Sequence, residues 1–444
     1  MTRCKSSAIA MALAEYQRRR TRLMELMAEG SIAILPSARV VYRNRDTEYP
    51  FRQSSDFYYL TGFDEPESVL VLVPGRKQGE VILFCRERDV TNEQWTGERL
   101  GPERAAQLLG VDDAFPIGDL SDILPGLIEG RRRVYYNLGE HPELERDVMM
   151  WVRSLRIRGV HGIESPDEFT VLGHLLHDLR LYKSPAEQKL IKRAADISAA
   201  AHVRAMKTAR PGLNEADLEA EIVHEFMRNR ARFPAYPCIV GAGANACVMH
   251  YVKNDAPLRD GDLVLIDAGA EYEYYASDLT RTFPINGKFT SAQRDLYEVV
   301  LNAQLAAIDA ATPGAPYDRV HQTAIGHMVD GLVALKVLKG SRDEILETES
   351  YRRFCIHKTS HWLGLDVHDV GDYRVDDAWR ALEPGMVFTV EPGIYMPSDD
   401  DVPRAFRGIG IRIEDDVLVT RDGRDVLTED APKTVAEIEA LMHA

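Results

Sequence analysis

The sequence predicts an α/β domain over residues 1–180, followed by an α+β domain over residues 181–444. Before residue 180, short apolar runs alternate with helical patterns, which is typical of a mixed α/β layer. After residue 180, blocks of helical pattern are separated by blocks of strand-rich sequence, which favours an α+β arrangement. A chain of 444 residues also exceeds one ordinary hydrophobic core, so two domains are expected.

Continuous apolar runs predict the strands of the first domain. They predict buried strands over 31–35, 68–73 and 81–84, and Pro74 and Gly75 close the second of these. An amphipathic helix that ends at about Gly30 is expected before the first strand. Neither the glycine-rich dinucleotide motif nor the P-loop motif occurs, so no cradle for nucleotide phosphates is predicted.

The second domain begins at a helix-capping pattern. Ser184, Pro185 and Glu187 form a capping box that opens a predicted helix over 185–209. The further elements are expected in this order: a helix from Asn214, strands over 238–286, helices over 291–312 and 317–338, and strands and turns over 355–421.

Charge and cysteine content exclude several classes of function. The net charge of −16 and the pI near 5.4 would repel nucleic acids and anionic membrane surfaces. No apolar run approaches the roughly 20 residues that cross a bilayer, and the N-terminus lacks a credible signal-peptide cleavage site. The cysteines are scattered without a CxxC pair, which disfavours disulfides and thiolate zinc sites. A cytoplasmic protein is therefore expected. The five cysteines are Cys4, Cys85, Cys238, Cys247 and Cys355.

Two aspartates follow or flank apolar strand sequence. Asp267 ends the buried run 263–266, where a carboxylate is costly unless it is paired or binds a cation. Asp278 follows eleven residues later, and the intervening sequence fits a turn and a returning strand. In such a hairpin the two carboxylates would face each other. The alternative is that Asp267 lies in a turn and Asp278 pairs with Arg281.

Three histidines cluster within twelve residues, at His357, His361 and His368. The first two are four residues apart, as in a helical zinc-protease motif. However, Lys358 stands where that motif has its general base, and Gly364 interrupts the helical pattern, so such a site is disfavoured. Histidines that are satisfied by neighbouring carboxylates remain an alternative.

Two further carboxylates are candidates to complete a set of metal ligands, and a surface position is the alternative for each of them. Glu391 ends an apolar strand before a Pro-Gly turn, and Glu414 lies on the polar face of an alternating strand. Four carboxylates and one imidazole suit hard or borderline divalent cations rather than thiophilic ones. Two cations about 3.5 Å apart can activate a shared water, so metal-assisted hydrolysis is predicted. The predicted ligands are Asp267, Asp278, His361, Glu391 and Glu414.

The order of these ligands resembles that of the "pita-bread" metallopeptidase family of methionine aminopeptidases, prolidases and Xaa-Pro aminopeptidases. Segments 357–371, 391–395 and 408–416 are most similar to bacterial aminopeptidase P. Segments 46–53 and 55–63 of the first domain fit the same branch, so the resemblance extends from about residue 14 to the C-terminus. It implies an aminopeptidase P-type first domain and a pita-bread catalytic domain.

The resemblance also implies a division of labour among the ligands. Asp278 and Glu414 would bridge two divalent cations, with Mn²⁺ expected and Co²⁺, Fe²⁺ or Zn²⁺ as alternatives. Asp267 would complete the coordination of one cation, and His361 and Glu391 that of the other. Glu391 would in addition carry a proton to the leaving amine.

Roles for residues around the metals are implied in the same way. His368 and His250 would hydrogen-bond the substrate, and His357 and Tyr236 would line its binding site, with His357 beside the proline. Three further residues would act around the ligands or between subunits. Asp46 and Arg412 would order the ligands, and Trp95 would reach the site of a neighbouring subunit in a dimer or tetramer.

The activity that the resemblance implies is an Xaa-Pro aminopeptidase, which releases the N-terminal residue from peptides with proline second. The nearest alternative is a prolidase, which cleaves only dipeptides. A metal-free creatinase-type hydrolase and a non-catalytic pita-bread binding module are disfavoured, because no ligand position departs from the family pattern.

Overall fold

The structure is a computed structural model that describes residues 3–444, with side chains at 13–160 and 162–444. Residues 1 and 2, with which the predicted first domain begins, lie outside the described residues. The chain divides into two compact units, of which the first ends at Leu179 and the second is Arg180–Ala444. In the described part of the chain, no helix is long and apolar enough to span a membrane.

A mixed sheet forms the centre of the first unit. Its strands are β1 (Ser31–Pro36), β2 (Tyr42–Asn44), β3 (Thr47–Glu48), β4 (Val69–Leu72), β5 (Val81–Cys85), β6 (Asp113–Pro116), β7 (Arg133–Tyr135) and β8 (Glu168–Thr170). Six of them pair in the order β6-β5-β4-β1-β7-β8, and β2 and β3 form a separate hairpin. The predicted strands correspond to β1, β4 and β5, and every residue in these three strands is buried. Continuous apolar runs without alternation are typical of such doubly covered strands.

Helices complete the first unit. They are α1 (Arg3–Leu26), α2 (Ser55–Thr61), α3 (Val90–Thr96), α4 (Gly101–Leu109), α5 (Leu120–Ile128), α6 (Pro142–Arg158) and α7 (Gly173–Leu181). The predicted first helix therefore ends at Leu26 rather than near Gly30. Leu124, Val148 and Val152 of α5 and α6 pack on Ile32 and Val71 of the sheet, and each of these five side chains is at most 2% exposed. Burying such a side chain contributes about 1.5–3 kcal/mol to stability.

The second unit combines helices with small antiparallel sheets. Its helices are α8 (Pro185–Thr208), α9 (Glu215–Arg228), α10 (Ser291–Ala310), α11 (Asp318–Ala334), α12 (Arg342–Glu347) and α13 (Val435–Met442). Its strands are β9 (Phe233–Pro234), β10 (Ile239–Ala242), β11 (Leu263–Asp267), β12 (Ala270–Tyr272), β13 (Tyr275–Ala276), β14 (Thr280–Pro284), β15 (Arg374–Val375), β16 (Ala378–Trp379), β17 (Val387–Val390), β18 (Gly393–Tyr395), β19 (Gly410–Arg412), β20 (Asp415–Val419) and β21 (Arg424–Val426).

The N-termini of α8 and α9 follow from their capping residues. The Ser184 side chain accepts the Glu187 N–H, and the Glu187 carboxylate accepts the Ser184 N–H, so the predicted capping box at α8 is present. Asn214 and Asp217 form the same arrangement at α9. Each cap satisfies backbone donors that the first helical turn leaves unpaired. These helices begin where the sequence predicts.

Strand register brings polar residues to one side of the sheets. In the sheet β10-β11-β14, Asp267 of β11 pairs with Thr280 of β14. In β17-β20-β21, Val390 pairs with Asp415, while β18 and β19 pair Gly393 with Arg412. Asp278, Glu391 and Glu414 lie next to the ends of these strands, so the strand pairing places them near the end of β11.

The hairpin predicted between Asp267 and Asp278 is more elaborate than expected. Strands β12 and β13 form an inner hairpin whose turn residues, Glu273 and Tyr274, have φ of 50° and 72°. Asp278 lies just before β14, so Thr280, and not Asp278, is the cross-strand partner of Asp267. Gly269 makes the close approach possible, because a Cβ there would lie 1.7 Å from the carbonyl oxygen of Ser277.

Candidate metal centre and substrate cavity

The five predicted metal ligands converge in the second unit. Asp267 ends β11, Asp278 precedes β14, Glu391 directly follows β17, and Glu414 lies between β19 and β20. His361 belongs to an irregular segment that is held against β17, because the Thr389 N–H donates to the His361 carbonyl oxygen at 2.9 Å. This segment is not helical, which agrees with the prediction that Gly364 interrupts the helical pattern.

Donor atoms of three ligands lie close enough to share a cation. Ligand atoms of Asp278, His361 and Glu414 all lie within 4.8 Å of one another. The Nε2 atom of His361 lies 3.3 Å from Oδ2 of Asp278 and 3.5 Å from Oε1 of Glu391. The three carboxylates and the imidazole thus face a common point, with side chains that are at most 16% exposed.

The imidazole of His361 is oriented for coordination through one nitrogen. Its Nδ1 atom lies 3.0 Å from the carbonyl oxygen of Trp362, a pure acceptor, so Nδ1 carries the proton. The other nitrogen, Nε2, faces the carboxylates and is therefore the one that can bind a cation. A backbone carbonyl that fixes the tautomer in this way is a regular feature of metal-binding histidines.

Hydrogen bonds hold both the side chain and the backbone of Asp278. The hydroxyl of Tyr236 donates to its Oδ1 at 2.5 Å, and the carboxylate of Asp416 accepts the Asp278 N–H at 3.1 and 3.2 Å. The remaining oxygen, Oδ2, faces His361. The position of Asp278 is thereby fixed before any cation binds.

Arg412 and Thr280 order the carboxylates of Asp267 and Glu414. Arg412 donates from Nη2 to Oδ2 of Asp267 at 2.5 Å and from Nε to the Thr280 hydroxyl at 3.2 Å. The Thr280 hydroxyl in turn donates to Oε2 of Glu414 at 2.7 Å. The second oxygen of Asp267, Oδ1, is buried and has no hydrogen-bond partner. A buried carboxylate oxygen in that condition is unfavourable unless a cation satisfies it.

The electrostatics of the ligand set also fit bound cations. Burial, followed by repulsion from Asp278, raises the pKa of Glu414 well above its usual range. Burial raises the pKa of Glu391 to about 7, with repulsion from Asp278 and Asp267 adding to it, although His361 and Arg412 lower it. Protein cations alone do not balance these carboxylates. Two divalent cations would supply the missing positive charge, so the residues fit such a centre.

The same residues line a cavity of about 580 Å³. Every residue of the second unit for which a site role was predicted contributes to its wall. These residues are Tyr236, His250, Asp267, Asp278, His357, His361, His368, Glu391, Arg412 and Glu414. Ile239, Met249, Val252 and Val367 add apolar surface next to the ligands, as is typical of cavities that bind small molecules.

The histidines around the ligands have distinct environments. His357 contacts the Tyr395 hydroxyl through Nε2 at 2.8 Å, and that hydroxyl accepts from Nη1 of Arg412 at 2.9 Å. The ring of His368 meets that of His361 edge to face at 4.4 Å between centroids. His250 is exposed in the segment between β10 and β11.

Two predicted site residues belong to the first unit. Asp46 is exposed in the turn of the β2–β3 hairpin, and Trp95, on α3, is 84% exposed. Neither lines the cavity of the second unit. Their roles stay predictions.

Four residues that hydrogen-bond predicted site residues were not predicted from the sequence: Thr280, Thr389, Tyr395 and Asp416. The buried Thr389 hydroxyl accepts the His361 N–H at 3.2 Å and donates to Oε1 of Glu391 at 3.4 Å. A usable signal was present, because each of the four lies within four residues of a predicted ligand in strand-like sequence.

Replacing Tyr236 with phenylalanine is expected to weaken metal binding by roughly 10- to 100-fold, because it removes the hydroxyl that holds Oδ1 of Asp278. The dissociation constant for Mn²⁺ can be measured by titration calorimetry. Replacing Tyr272, a half-buried tyrosine of β12 outside the cavity, with phenylalanine is the matched control. Equal affinity of the Tyr236→Phe variant and the parent would contradict this role.

Comparisons with known proteins agree with this geometry. The pattern of metallopeptidase family M24 matches residues 189–421, and that of the aminopeptidase P N-terminal domain matches residues 16–135. The Xaa-Pro aminopeptidase of Escherichia coli strain K12 is 48% identical over 431 residues, which are 97% of this chain and 98% of that protein. Human Xaa-Pro aminopeptidase 3 is 36% identical, over 96% of this chain and 85% of that protein.

Solved structures give the same result. Pseudomonas aeruginosa aminopeptidase PepP has a TM-score of 0.96 and 55% identity, over 97% of this chain and 98% of that chain. Zn-substituted E. coli aminopeptidase P in complex with product has a TM-score of 0.94 and 47% identity, with 97% and 98% covered. The fold and site define a metallopeptidase, and the chain belongs to family M24, in the branch of the Xaa-Pro aminopeptidases. The predicted fold class and family are confirmed.

Proposed function

We propose that this chain, which is an Xaa-Pro aminopeptidase, holds two divalent cations, with Mn²⁺ as the expected ion. The observation that carries the proposal is the convergence of Asp278, His361 and Glu414 within 4.8 Å, beside a buried Asp267 oxygen without a partner. Asp278 and Glu414 would bridge the cations. Asp267 would bind one cation, and His361 and Glu391 would bind the other.

The chemistry that two such cations supply is Lewis acidity, which lowers the pKa of a water and polarises a scissile carbonyl. The residues of the chain then move protons and position the substrate. Glu391 would accept the proton of the attacking water and deliver it to the leaving nitrogen of proline. His250 and His368, on the cavity wall, would donate hydrogen bonds to the developing negative charge on the carbonyl oxygen.

Proline in the second position presents a chemical difficulty that this site avoids. An Xaa-Pro bond is a tertiary amide without an N–H, so a peptidase that grips that donor cannot hold it. Here the cations would polarise the carbonyl group of the scissile bond, which does not require that N–H. His357, which is fixed by Tyr395, would lie beside the proline ring with Tyr236 nearby.

Assembly and location extend the proposal. Trp95 is a large, highly exposed aromatic side chain, which is typical of residues that a partner subunit covers. We therefore propose that a dimer or tetramer forms, in which Trp95 serves a neighbouring site. A cytoplasmic location is supported by the described cysteines at 85, 238, 247 and 355, which are all free.

The chain loaded with Mn²⁺ is expected to cleave an Xaa-Pro-Yaa tripeptide, and a chelator is expected to abolish that cleavage. An Xaa-Pro dipeptide measured in parallel is the substrate control. Full cleavage in the presence of chelator would refute the metal mechanism. Cleavage of the dipeptide alone would show a prolidase instead.

A further inference from the structure

The segment between β10 and β11 forms one wall of the cavity. It contains a 3-10 turn, Gly243–Cys247, and then runs to residue 262 without a strand or helix in the described structure. Met249, His250 and Val252 of this segment line the cavity, and His250 and Val252 are themselves exposed. A surface segment without regular hydrogen bonding needs other contacts to hold a fixed conformation.

Glu215 supplies such contacts from beneath the segment. It is the first residue of α9 and is fully buried. Its Oε1 atom accepts the Ala242 N–H at 2.7 Å and the Asn245 side-chain amide at 3.0 Å. Its Oε2 atom accepts the Tyr251 hydroxyl at 2.9 Å and the Ala256 N–H at 2.8 Å.

These four donors come from both sides of His250. Ala242 and Asn245 precede it, whereas Tyr251 and Ala256 follow it, and Tyr251 is its immediate neighbour. An ionised carboxylate has acceptor sites for all four hydrogen bonds and no donor of its own. A glutamine would place an N–H₂ group against at least one N–H donor, so the isosteric amide cannot reproduce the arrangement.

A second buried side chain fixes the far end of the segment. Asn254, with φ of 49° and 1% exposure, accepts the Val240 N–H at 2.9 Å. Its amide donates to the carbonyl oxygen of Cys238 at 2.8 Å and to Glu219 at 2.9 Å. The side chains of Glu215 and Asn254 thus anchor the segment on both sides of His250. Few residues separate His250 from these anchored positions, so its position depends on them.

We propose that Glu215 is a positioning residue for catalysis: it holds the segment between β10 and β11 so that His250 points into the substrate cavity. The inference rests on the proposed function, in which His250 contacts the reacting carbonyl. Glu215 itself does not line the cavity or contact a metal ligand. Its effect on catalysis is therefore transmitted through the segment.

Replacing Glu215 with glutamine is expected to lower kcat/KM for an Xaa-Pro-Yaa peptide by roughly 10- to 100-fold, the usual consequence of a misplaced catalytic contact. The number of bound Mn²⁺ ions should stay that of the parent. Glu439→Gln is the matched control, since Glu439 also accepts a backbone N–H, from Phe289, but holds a segment outside the cavity. Unchanged kcat/KM in Glu215→Gln would overturn the inference.

A double-mutant cycle with His250→Ala separates positioning from general destabilisation. If Glu215 acts through His250, Glu215→Gln should cost no more than about twofold in kcat/KM when His250 is already alanine. Full additivity of the two losses would overturn the inference and leave the proposed function intact. Unchanged kcat/KM in His250→Ala alone would instead overturn the role of His250 in the proposed function.

A milder variant covers the case in which Glu215→Gln does not fold. Tyr251→Phe removes one of the four hydrogen bonds from a half-buried hydroxyl and leaves the carboxylate with three donors. It is expected to lower kcat/KM by roughly three- to tenfold, and this loss should also vanish in the His250→Ala background. A loss that persists in that background would count against the inference.

Discussion

Replacing Asp278 with asparagine is expected to lower kcat/KM by more than about 100-fold, because the proposed bridge between two cations loses its charge. The amide would also replace one carboxylate oxygen with an N–H₂ group, which can neither accept from Tyr236 nor bind a cation. Both effects weaken metal binding. The measurement is kcat/KM for an Xaa-Pro-Yaa peptide, together with the number of Mn²⁺ ions retained after dialysis.

The control for this substitution is Asp260→Asn, an exposed aspartate in the turn before β11. It has the same change in charge and should leave both measurements unaltered. If Asp278→Asn kept activity within tenfold of the parent, Asp278 could not bridge the cations.

Replacing Glu391 with glutamine is expected to lower kcat by roughly 10²- to 10⁴-fold, the usual contribution of general acid–base catalysis. The position of Glu391 supports this role: Oε2 lies 3.6 Å from Nδ1 of His357, and Oε1 lies 3.5 Å from Nε2 of His361. Its carboxylate thus lies between His361, a proposed ligand, and His357, which belongs to the proposed proline site. A glutamine retains the shape but cannot carry the proton.

Metal loss must be separated from loss of the proton carrier in this variant. The assay is therefore run in saturating Mn²⁺, with bound metal quantified in the same sample. Reduced kcat at full metal occupancy would support the shuttle. A kcat within tenfold of the parent at full occupancy would assign proton transfer to another group.

Two of the predicted ligands interrupt an otherwise apolar pattern. Asp267 ends the strand β11 and Glu391 directly follows β17, and an uncompensated carboxylate is costly at both positions. The capping residues at α8 and α9 likewise have a local cause. These features depend only on neighbours in the sequence, so they could be predicted without the fold.

Other parts of the site depend on strand register, which the sequence does not specify. Thr280 lies opposite Asp267 only because β11 and β14 pair in one register, and a shift by one residue would turn it to the other face. Asp416 reaches the Asp278 backbone from 138 positions away in the chain. Glu215 looks like an ordinary residue of a helical first turn, and its four partners become visible only in three dimensions.

The central claim is that the chain holds two divalent cations between Asp278 and Glu414. Anomalous diffraction from crystals grown with Mn²⁺ tests it most directly. The account predicts two peaks about 3.5–4 Å apart, with Asp278 and Glu414 touching both, Asp267 touching one, and His361 and Glu391 touching the other. A single peak, or peaks that the carboxylates of Asp278 and Glu414 do not both contact, would contradict it.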